Sequence, residues 1–394
     1  MPGAQTLKTF ENALKEYYLP VWRNQLGTEP SALLSKIKKV PIKSDKIVTS
    51  APIGLSGGFG YGAEGESTPE AGKVNFARFM TNAKDMYVNM CISLKSTKLT
   101  GSAGAMADAL DTEVKASYET AKWNVGRSLF GNGTGILTTI TTGSAGTITC
   151  ADVSKLKEGL IIDVYANGTG GDAPPTVKAS GIRITAVDRS TKKITVTDTT
   201  TSFTAGFITV QNSYNREITG LGSIFDDTVK SIYGIDKSKN IYLKPIVVDA
   251  NNDISDGIIT GALRQSSRDK NGEIDMILCG DAAYDNYVEY LRTNNIRVED
   301  RSKEIAGGFK AIKFIFANRE VDIVNEGFVP EDEFWGVSTK DLELHETGWN
   351  FASVNDSSIF TLLEGQSIYR ALLANYGELI CKNPGACVRI TNCA

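Results

Sequence analysis

The strongest periodic pattern in the chain lies between residues 104 and 130. Ser102 is a suitable N-cap just before it. Apolar side chains recur there at every third or fourth position, which places them on one face of an α-helix: Met106, Leu110, Val114, Tyr118, Ala121, Val125 and Leu129. The pattern therefore predicts one long amphipathic helix, about 40 Å from end to end.

The residues before this helix form pieces too short to enclose a core of their own. Helical spacing occurs in "LKTFENALKEYYLPVW", where Pro20 is predicted to end a helix, and in "TEPSALLSKIKKV", with Thr28 as cap and Pro30 in the first turn. Two long strands, "KIVTSAPIGL" and "KVNFARFMTNAKDMYVNMCISLK", surround a glycine-rich acidic tip. An isolated hairpin is marginally stable in water, so these pieces must rest on neighbouring structure.

Residues 136–211 change to the period of β-strands and are rich in threonine, glycine and β-branched residues. In "GIRITAVDRSTKKITVTDT", Ile182 and Ile184 alternate with polar residues, "DRST" forms a turn, and Ile194 and Val196 return. Further strands are predicted at "GLIIDVYANG" and "FITVQN". The segment is typical of a small β-barrel or sandwich inserted into a larger domain.

Residues 212–394 mix the two periods. Helices are predicted at "ISDGIITGALRQSSRDK" and "AAYDNYVEYLRTNN". Strands are predicted at "IYLKPIVVDA", "EIDMILCG" and "EFWGVSTKDLELHE", in a hairpin at "FKAIKFIFANREVDIVNEG", and on both sides of the turn at Asn383-Pro384-Gly385. The fold class predicted for the whole chain is α+β.

Three alternating glycines in "SLFGNGTGIL", Gly131, Gly133 and Gly135, raise the question of a phosphate-binding loop. Such loops place glycines between a strand and the N-terminus of a helix, whose free N–H groups bind the anion. Here the glycines follow a predicted helix, so they meet its carbonyl oxygens and the negative end of its dipole. We therefore interpret them as a structural turn that ends the helix.

The composition and charge of the chain favour few kinds of site. Forty-two Lys and Arg residues face 46 Asp and Glu residues, a net charge of −4, so no basic face for nucleic acid is indicated. With one histidine and no CxxC pair among six cysteines, we expect reduced thiols, some buried in strands, rather than a zinc site. No catalytic residue, metal site or cofactor is predicted.

His345 is the one residue on which a Ser-His-Asp or Cys-His site would depend. It follows the alternating Leu342 and Leu344, which indicates a solvated strand end. Acidic pairs such as Asp226-Asp227 occur, but the sequence places no two carboxylates at a defined separation. A carboxylate-based hydrolase is therefore an alternative function rather than the prediction. No signal peptide is indicated, and no apolar segment is long enough to span a bilayer.

The order of these parts resembles that of the major capsid proteins of tailed bacteriophages, the Hong Kong 97 fold. The resemblance covers nearly the whole chain and includes three stretches: "ISLKSTKLTGSAGAMADALDTEVKASYETAKWNVGRSLFGNGTGIL", "ITGLGSIFDD…YGIDKSKNIYLKPIVVDANNDISDG" and "FWGVSTKDLELHE…YRALLANYGELICKNPGACVRIT". None is a catalytic motif, and the resemblance depends on their order and extent.

The resemblance implies an α+β capsid fold with an inserted small β-barrel or sandwich. The implied parts are an N-arm at 1–46, an extended loop at 47–100, a spine helix and the start of a peripheral domain at 101–135, the inserted β-domain at 136–211, an axial domain with connecting strands at 212–336, and the closing strands of the peripheral domain at 337–394.

The resemblance also implies a structural protein rather than an enzyme. Its copies are expected to form pentamers and hexamers of an icosahedral virion capsid around double-stranded DNA, assembled in the bacterial cytoplasm. The implied partners are copies of the chain itself, a separate scaffolding protein, a portal, in some members a decoration protein, and DNA contacted non-specifically, with no membrane.

The residues expected at contacts between subunits are apolar side chains of the arm and the extended loop. They are Phe10, Leu14, Tyr17, Tyr18, Trp22, Phe76, Phe79, Tyr87 and Val88. Packing within the same chain is the alternative for each of them. A glycan-binding or surface-binding protein that uses the inserted domain is the second alternative function.

Overall fold

The computed structural model describes residues 18–28, 30–53, 57–62, 64–65, 67–93, 103–166, 175–203, 205–294, 302–305, 308–352 and 359–393. These residues form two compact units. Arg127–Ser223 forms the first, which we call the barrel unit. The described residues before and after it form the second, which we call the mixed unit.

Short helices and strands precede one long helix in the first third of the chain. They are α1 (Leu19–Thr28), α2 (Ala32–Lys36), β1 (Lys38–Pro41), β2 (Lys46–Ile53), β3 (Asn75–Asn82), β4 (Lys84–Ser93) and α3 (Ala103–Leu129). Helix α3 confirms the long helix predicted from the spacing of apolar residues. Val114, Tyr118 and Ala121 are buried on one of its faces, as that spacing requires.

The helix ends near the N-terminus differ from those predicted. Pro20 lies in the first turn of α1, where its missing N–H group leaves no hydrogen bond unmade, rather than beyond a helix end. The cap of α2 is Ser31, whose hydroxyl accepts a hydrogen bond from the N–H of Leu33 at 3.1 Å. Thr28, predicted as that cap, is the last residue of α1. The helix predicted over residues 7–17 and the cap at Ser102 lie outside the described residues.

The predicted return strand of the long hairpin is divided at Ala83. Strands β2 and β3 pair antiparallel, with Val48 opposite Met80 and Pro52 opposite Phe76. Strand β4 pairs instead with β22 (Ile368–Cys381), so the prediction of a single two-stranded excursion is wrong. The reason is burial, since one face of β4 covers the same apolar core as α3.

The barrel unit contains six strands that close on themselves. They are β5 (Ile136–Ser144), β6 (Thr147–Cys150), β7 (Ile161–Ala166), β8 (Thr176–Asp188), β9 (Lys193–Val196) and β10 (Gly206–Val210), hydrogen-bonded in the order β10-β5-β6-β9-β8-β7. Inward-facing isoleucines fill the barrel and are fully buried: Ile148, Ile162, Ile184, Ile194 and Ile208. Of the two architectures predicted for this segment, the structure has the barrel.

The rest of the chain adds three helices and thirteen strands among the described residues. They are α4 (Gly222–Phe225), β11 (Ser231–Ile232), β12 (Ile235–Asp236), β13 (Ile246–Asp249), α5 (Asp256–Lys270), β14 (Met276–Cys279), α6 (Asp281–Thr293), β15 (Ser302–Ile305), β16 (Phe309–Phe316), β17 (Arg319–Asn325), β18 (Phe334–Val337), β19 (Leu342–Glu346), β20 (Asn350–Phe351), β21 (Thr361–Leu362), β22 and β23 (Val388–Thr391). The strand predicted at "IYLKPIVVDA" begins only at Ile246, because Ile241–Leu243 is a 3-10 turn.

Two larger sheets organise the mixed unit. One has seven strands in the order β13-β23-β18-β14-β17-β16-β15, and α5 and α6 bury apolar side chains in the same core as this sheet. The other has the order β1-β19-β22-β20, with β4 and β21 also paired to β22. Strand β22 therefore joins the N-terminal part of the mixed unit to its C-terminal part through main-chain hydrogen bonds.

Candidate functional surfaces

The glycine-rich turn after α3 encloses a carboxylate of the same chain. Gly133 and Gly135 have φ angles of +83° and +75°, and a Cβ atom at Gly135 would lie 2.5 Å from the carbonyl oxygen of Ser213. Inside the turn, Arg127 donates two hydrogen bonds, of 3.0 and 2.5 Å, to the carboxylate of Glu217. The glycines form a turn after α3, and the carboxylate that they surround belongs to Glu217.

The β2–β3 hairpin is attached to the mixed unit by one of its two faces. Phe79 is only 1% exposed, and its ring centroid lies 5.6 Å from that of Tyr233. The N–H of Met80 donates to the carbonyl of Tyr233 at 3.0 Å, and Thr81 donates to the buried carboxyl group of Glu378 at 3.3 Å. This inner face therefore has both apolar and polar attachments to the mixed unit.

Tyr233 is the residue that connects the hairpin to β22. It lies in the two-residue turn between β11 and β12 at φ +51°, a conformation unusual for so large a side chain. Its hydroxyl donates to the carbonyl of Leu379 and accepts from the N–H of Cys381, both at 3.0 Å. Burial, followed by the neighbouring Cys381 thiol, raises the pKa of Tyr233, so the hydroxyl stays a hydrogen-bond donor.

The outer face of the hairpin is exposed and carries apolar side chains together with Lys46, Ser50, Arg78 and Asn82. Phe76 is 65% exposed, and Val48 and Met80 lie on the same side of the two strands. Beyond the strands, the tip carries Phe59 and Tyr61, which are 83% and 95% exposed with ring centroids 5.4 Å apart. Exposed apolar side chains grouped in this way are typical of surfaces that contact another molecule.

A second exposed surface lies on β4 and β22. Tyr87 and Tyr376 point to the same side of the paired strands with ring centroids 6.2 Å apart. Their hydrogen bond, partial burial and the charge of Asp85 raise the pKa of Tyr87 to about 12. Cys91 lies further along the same side of β4 and is exposed. We call this the tyrosine face.

The architecture was compared with solved structures. A chain of the capsid of cyanophage A-1(L) aligns over 90% of this chain and 90% of its own length, with a TM-score of 0.51 and 10% sequence identity.

The chain has the Hong Kong 97 capsid-protein fold.

Two other solved structures align with lower scores. They are the SrpI encapsulin of Synechococcus elongatus (TM-score 0.44, 8% identity, 90% of this chain and 85% of that one) and the capsid of a native GTA particle (TM-score 0.44, 8% identity, 92% and 90%). Neither score is high enough to support a further conclusion. No protein-family profile and no curated protein sequence matches the chain.

The resemblance assigns α3 to the long spine helix and the β2–β3 hairpin to the extended loop, and both assignments stay predictions. The closed barrel is the inserted β-domain that the resemblance implied. The residue boundaries of the N-arm, peripheral and axial domains stay predictions.

The expected contact residues divide into those that face inward and those that face solvent. Trp22 and Phe79 are buried within the chain, Trp22 with its ring centroid 5.5 Å from that of Tyr118, and the partly buried Val88 packs against the same core as Trp22. Tyr18 also packs against that core, whereas Phe76 and Tyr87 are exposed. Phe10, Leu14 and Tyr17 lie outside the described residues.

Several exposed residues were missed in the sequence-based list of contact residues. They are Val48, Phe59, Tyr61 and Met80. The strand period alone separates Phe76 from Phe79, because side chains three positions apart in a strand point to opposite faces. The same period, applied to β2 through the pairing of Val48 with Met80, identifies the outer face.

His345 is buried, so the prediction of a solvated strand end is wrong. Strand β1 pairs parallel with β19 and covers it, with Val40 in register with His345. The imidazole Nε2 lies 3.3 Å from a carboxylate oxygen of Glu343, and burial lowers the pKa of His345 although this carboxylate opposes the shift. Glu343 also accepts hydrogen bonds from Lys38 and Lys382, at 3.1 and 2.8 Å.

The described residues show free thiols and no metal cluster. All six cysteines are free in the structure, and Cys91 is exposed whereas the others are buried. Among the residues that the structure describes, no group of three or more His, Cys, Asp or Glu side chains is arranged to hold a metal ion. In the same part of the chain, no helix has both the length and the apolar character needed to cross a bilayer.

Proposed function

We propose that this chain is a major capsid protein of a tailed bacteriophage. Its copies join into pentamers and hexamers, which assemble into an icosahedral shell around double-stranded DNA. The observation that supports this most is that a chain with a capsid-protein fold exposes Val48, Phe76 and Met80 on the outer face of its β2–β3 hairpin. The proposed role is structural and includes no catalytic step.

The β2–β3 hairpin supplies the contact between neighbouring copies in this proposal. Its inner face is already used by Phe79 and Thr81, so only the outer face with Val48, Phe76 and Met80 is left for a neighbour. Each such contact needs to be only modestly favourable, because a subunit in a closed shell makes several of them and the lattice closes.

The remaining partners follow from the same proposal. A separate scaffolding protein, a portal and a decoration protein are the expected protein partners, and assembly takes place in the cytoplasm of the bacterial host. The net charge of −4 is consistent with a container that encloses DNA without binding it tightly.

Electron microscopy of the purified protein tests this proposal. The protein is concentrated with and without a candidate scaffolding protein, and negative-stain images are compared with sedimentation profiles. Capsomers, shells or tubes are the expected result. A small monomer under every condition would contradict the proposal.

A pair of variants tests the hairpin contact itself. Phe76→Asp places a charge on the exposed outer face and is expected to reduce the yield of particles at least tenfold, because assembly would bury that charge. Val177→Asp is the matched control, since Val177 is comparably exposed but lies in the barrel unit. Equal particle yields from the two variants would show that the outer face is not a contact.

A further inference from the structure

The helix α2 is held in a narrow space within the mixed unit. Its residues Ala32, Leu33 and Leu34 are buried. Just before it, the carbonyl oxygen of Pro30 passes so close to α3 that a Cβ atom at Gly126 would lie 2.9 Å from it, and 2.7 Å from the ring of Phe328. The chain just before α2 is therefore closely packed against α3.

Two acidic residues attach α2 by different chemistry: Asp322 in the middle of β17 and Glu326 just after its end. Asp322 forms ion pairs with Lys36 of α2 and with Lys303. Burial opposes its ionisation, but these two lysines together lower the pKa of Asp322. The contact of Asp322 with α2 therefore stays charged across the neutral range of pH.

Glu326 is the second acidic residue, and among the described residues no lysine forms an ion pair with it as Lys36 and Lys303 do with Asp322. It is 6% exposed, and it accepts hydrogen bonds from the Ser31 hydroxyl, at 2.7 Å, and from the backbone N–H of Ala32. Both donors belong to the start of α2. No positively charged side chain of the described residues contributes to the titration of Glu326.

We propose that Glu326 is a pH-sensitive latch for α2: the neutral carboxyl group keeps the helix seated, and ionisation of that group in its buried site loosens it. This device goes beyond the proposed function, because it concerns the attachment of an N-terminal segment within one chain.

The direction of the effect follows from linkage. Burial raises the pKa of Glu326 from 4.5 to about 7 when α2 is seated, although the hydrogen bonds from Ser31 and Ala32 oppose the shift. Exposure to water on release returns the pKa towards its ordinary value. The seated state therefore binds the proton more tightly. The stability that this proton adds to the seated state is lost as the pH rises from 4.5, the ordinary pKa, through about 7, the pKa in the seated state. Between about pH 5.5 and about pH 8.5 the opening equilibrium of α2 is expected to increase about 30-fold.

Other titratable groups near this segment behave differently. The pKa of Cys279 in β14 is raised mainly by burial, and the charge of Glu326 adds to the rise, so the thiol stays neutral. Farther along, β1 faces His345 and Glu343 of β19, together with Lys38 and Lys382. A contribution from His345 would persist when Glu326 is replaced, which separates the two groups experimentally.

Hydrogen exchange measured by mass spectrometry on the full chain tests the latch. Amide protection of residues 31–37 is compared across this pH range after correction for intrinsic exchange rates, with α5 as the internal reference. In Glu326→Gln the amide side chain keeps its acceptor for Ser31 but cannot ionise, so protection is expected to be independent of pH. Asp322→Asn, the control, is expected to weaken protection at every pH while retaining the wild-type pH dependence.

Two results would overturn the latch. One is wild-type protection of residues 31–37 that changes no more with pH than that of α5, a comparison that needs no variant to fold. The other is Glu326→Gln with the wild-type pH dependence. The measurement does not require shells to form, so failure of the latch and failure of the proposed function are distinguishable.

Discussion

The barrel unit and the β2–β3 hairpin differ in how far the faces of their strands are buried. Each strand of the barrel is hydrogen-bonded to two neighbours, and its inward-facing isoleucines are fully buried. The hairpin has two strands, one buried face and one exposed face on which Val48, Phe76 and Met80 are in water. The barrel is completed by its own chain, whereas the outer face of the hairpin is not.

This difference indicates where a partner can act. A closed barrel has no free strand edge, so its strands need no partner chain to complete their hydrogen bonds. The hairpin would gain free energy by covering Val48, Phe76 and Met80 with a neighbouring copy. Changes in the barrel should therefore alter stability, and changes on the outer face should alter assembly.

The largest expected effect comes from the ion pair inside the glycine turn of the barrel unit. Glu217→Ala leaves Arg127 buried without its carboxylate, and removal of one partner of a buried pair costs about 3–5 kcal/mol of stability. Thermal unfolding of the variant measures this loss. Lys239→Ala, which breaks the exposed pair with Asp236, is the control and should leave the unfolding midpoint unchanged. Equal effects of the two substitutions would contradict the role assigned to the turn.

A smaller effect separates the two faces of the hairpin. Phe79→Ala removes a buried ring that packs against Tyr233 and is expected to cost about 3 kcal/mol. Phe76→Ala, on the same strand but exposed, is expected to cost less than about 0.5 kcal/mol. Denaturant unfolding of both variants gives the comparison. A loss for Phe76→Ala as large as that for Phe79→Ala would show that the outer face is already covered within the chain.

The smallest effect on stability is expected for the test of the tyrosine face, which uses thiol labelling and leaves the fold unchanged. In the native subunit a bulky thiol reagent should label Cys91 rapidly and the five buried cysteines only after unfolding. If the tyrosine face is covered by a neighbour, labelling of Cys91 should slow at least tenfold in assembled particles. Cys91→Ser gives the background rate. Unchanged labelling in particles would place the tyrosine face outside the contacts.

Much of the fold could be predicted from the sequence because its patterns are local. The helical period predicts α3, and alternation predicts the strands of the barrel, because side-chain spacing along a helix or strand depends on near neighbours alone. The glycine turn could also be predicted, since the helix before it excludes the arrangement that binds phosphate.

Partners distant in sequence could not be predicted in the same way. The alternation in "KVNFARFMTNAKDMYVNMCISLK" fits one strand or two, and only the pairing of β4 with β22 divides it at Ala83. His345 has the spacing of an exposed position until β1 covers β19. The carboxylate inside the glycine turn comes from Glu217, ninety positions after Arg127.

The sequence by itself determined the periods, and therefore which residues can share a face of each element. Only the tertiary structure decided which face is buried and which is left in water, as Phe79 and Phe76 show on one strand. Glu326 shows the same limit, because Ser31, to which it is hydrogen-bonded, is 295 positions away in the chain. The physical reason is that burial and pKa depend on all the groups brought together in space, whereas periodicity depends on the chain alone.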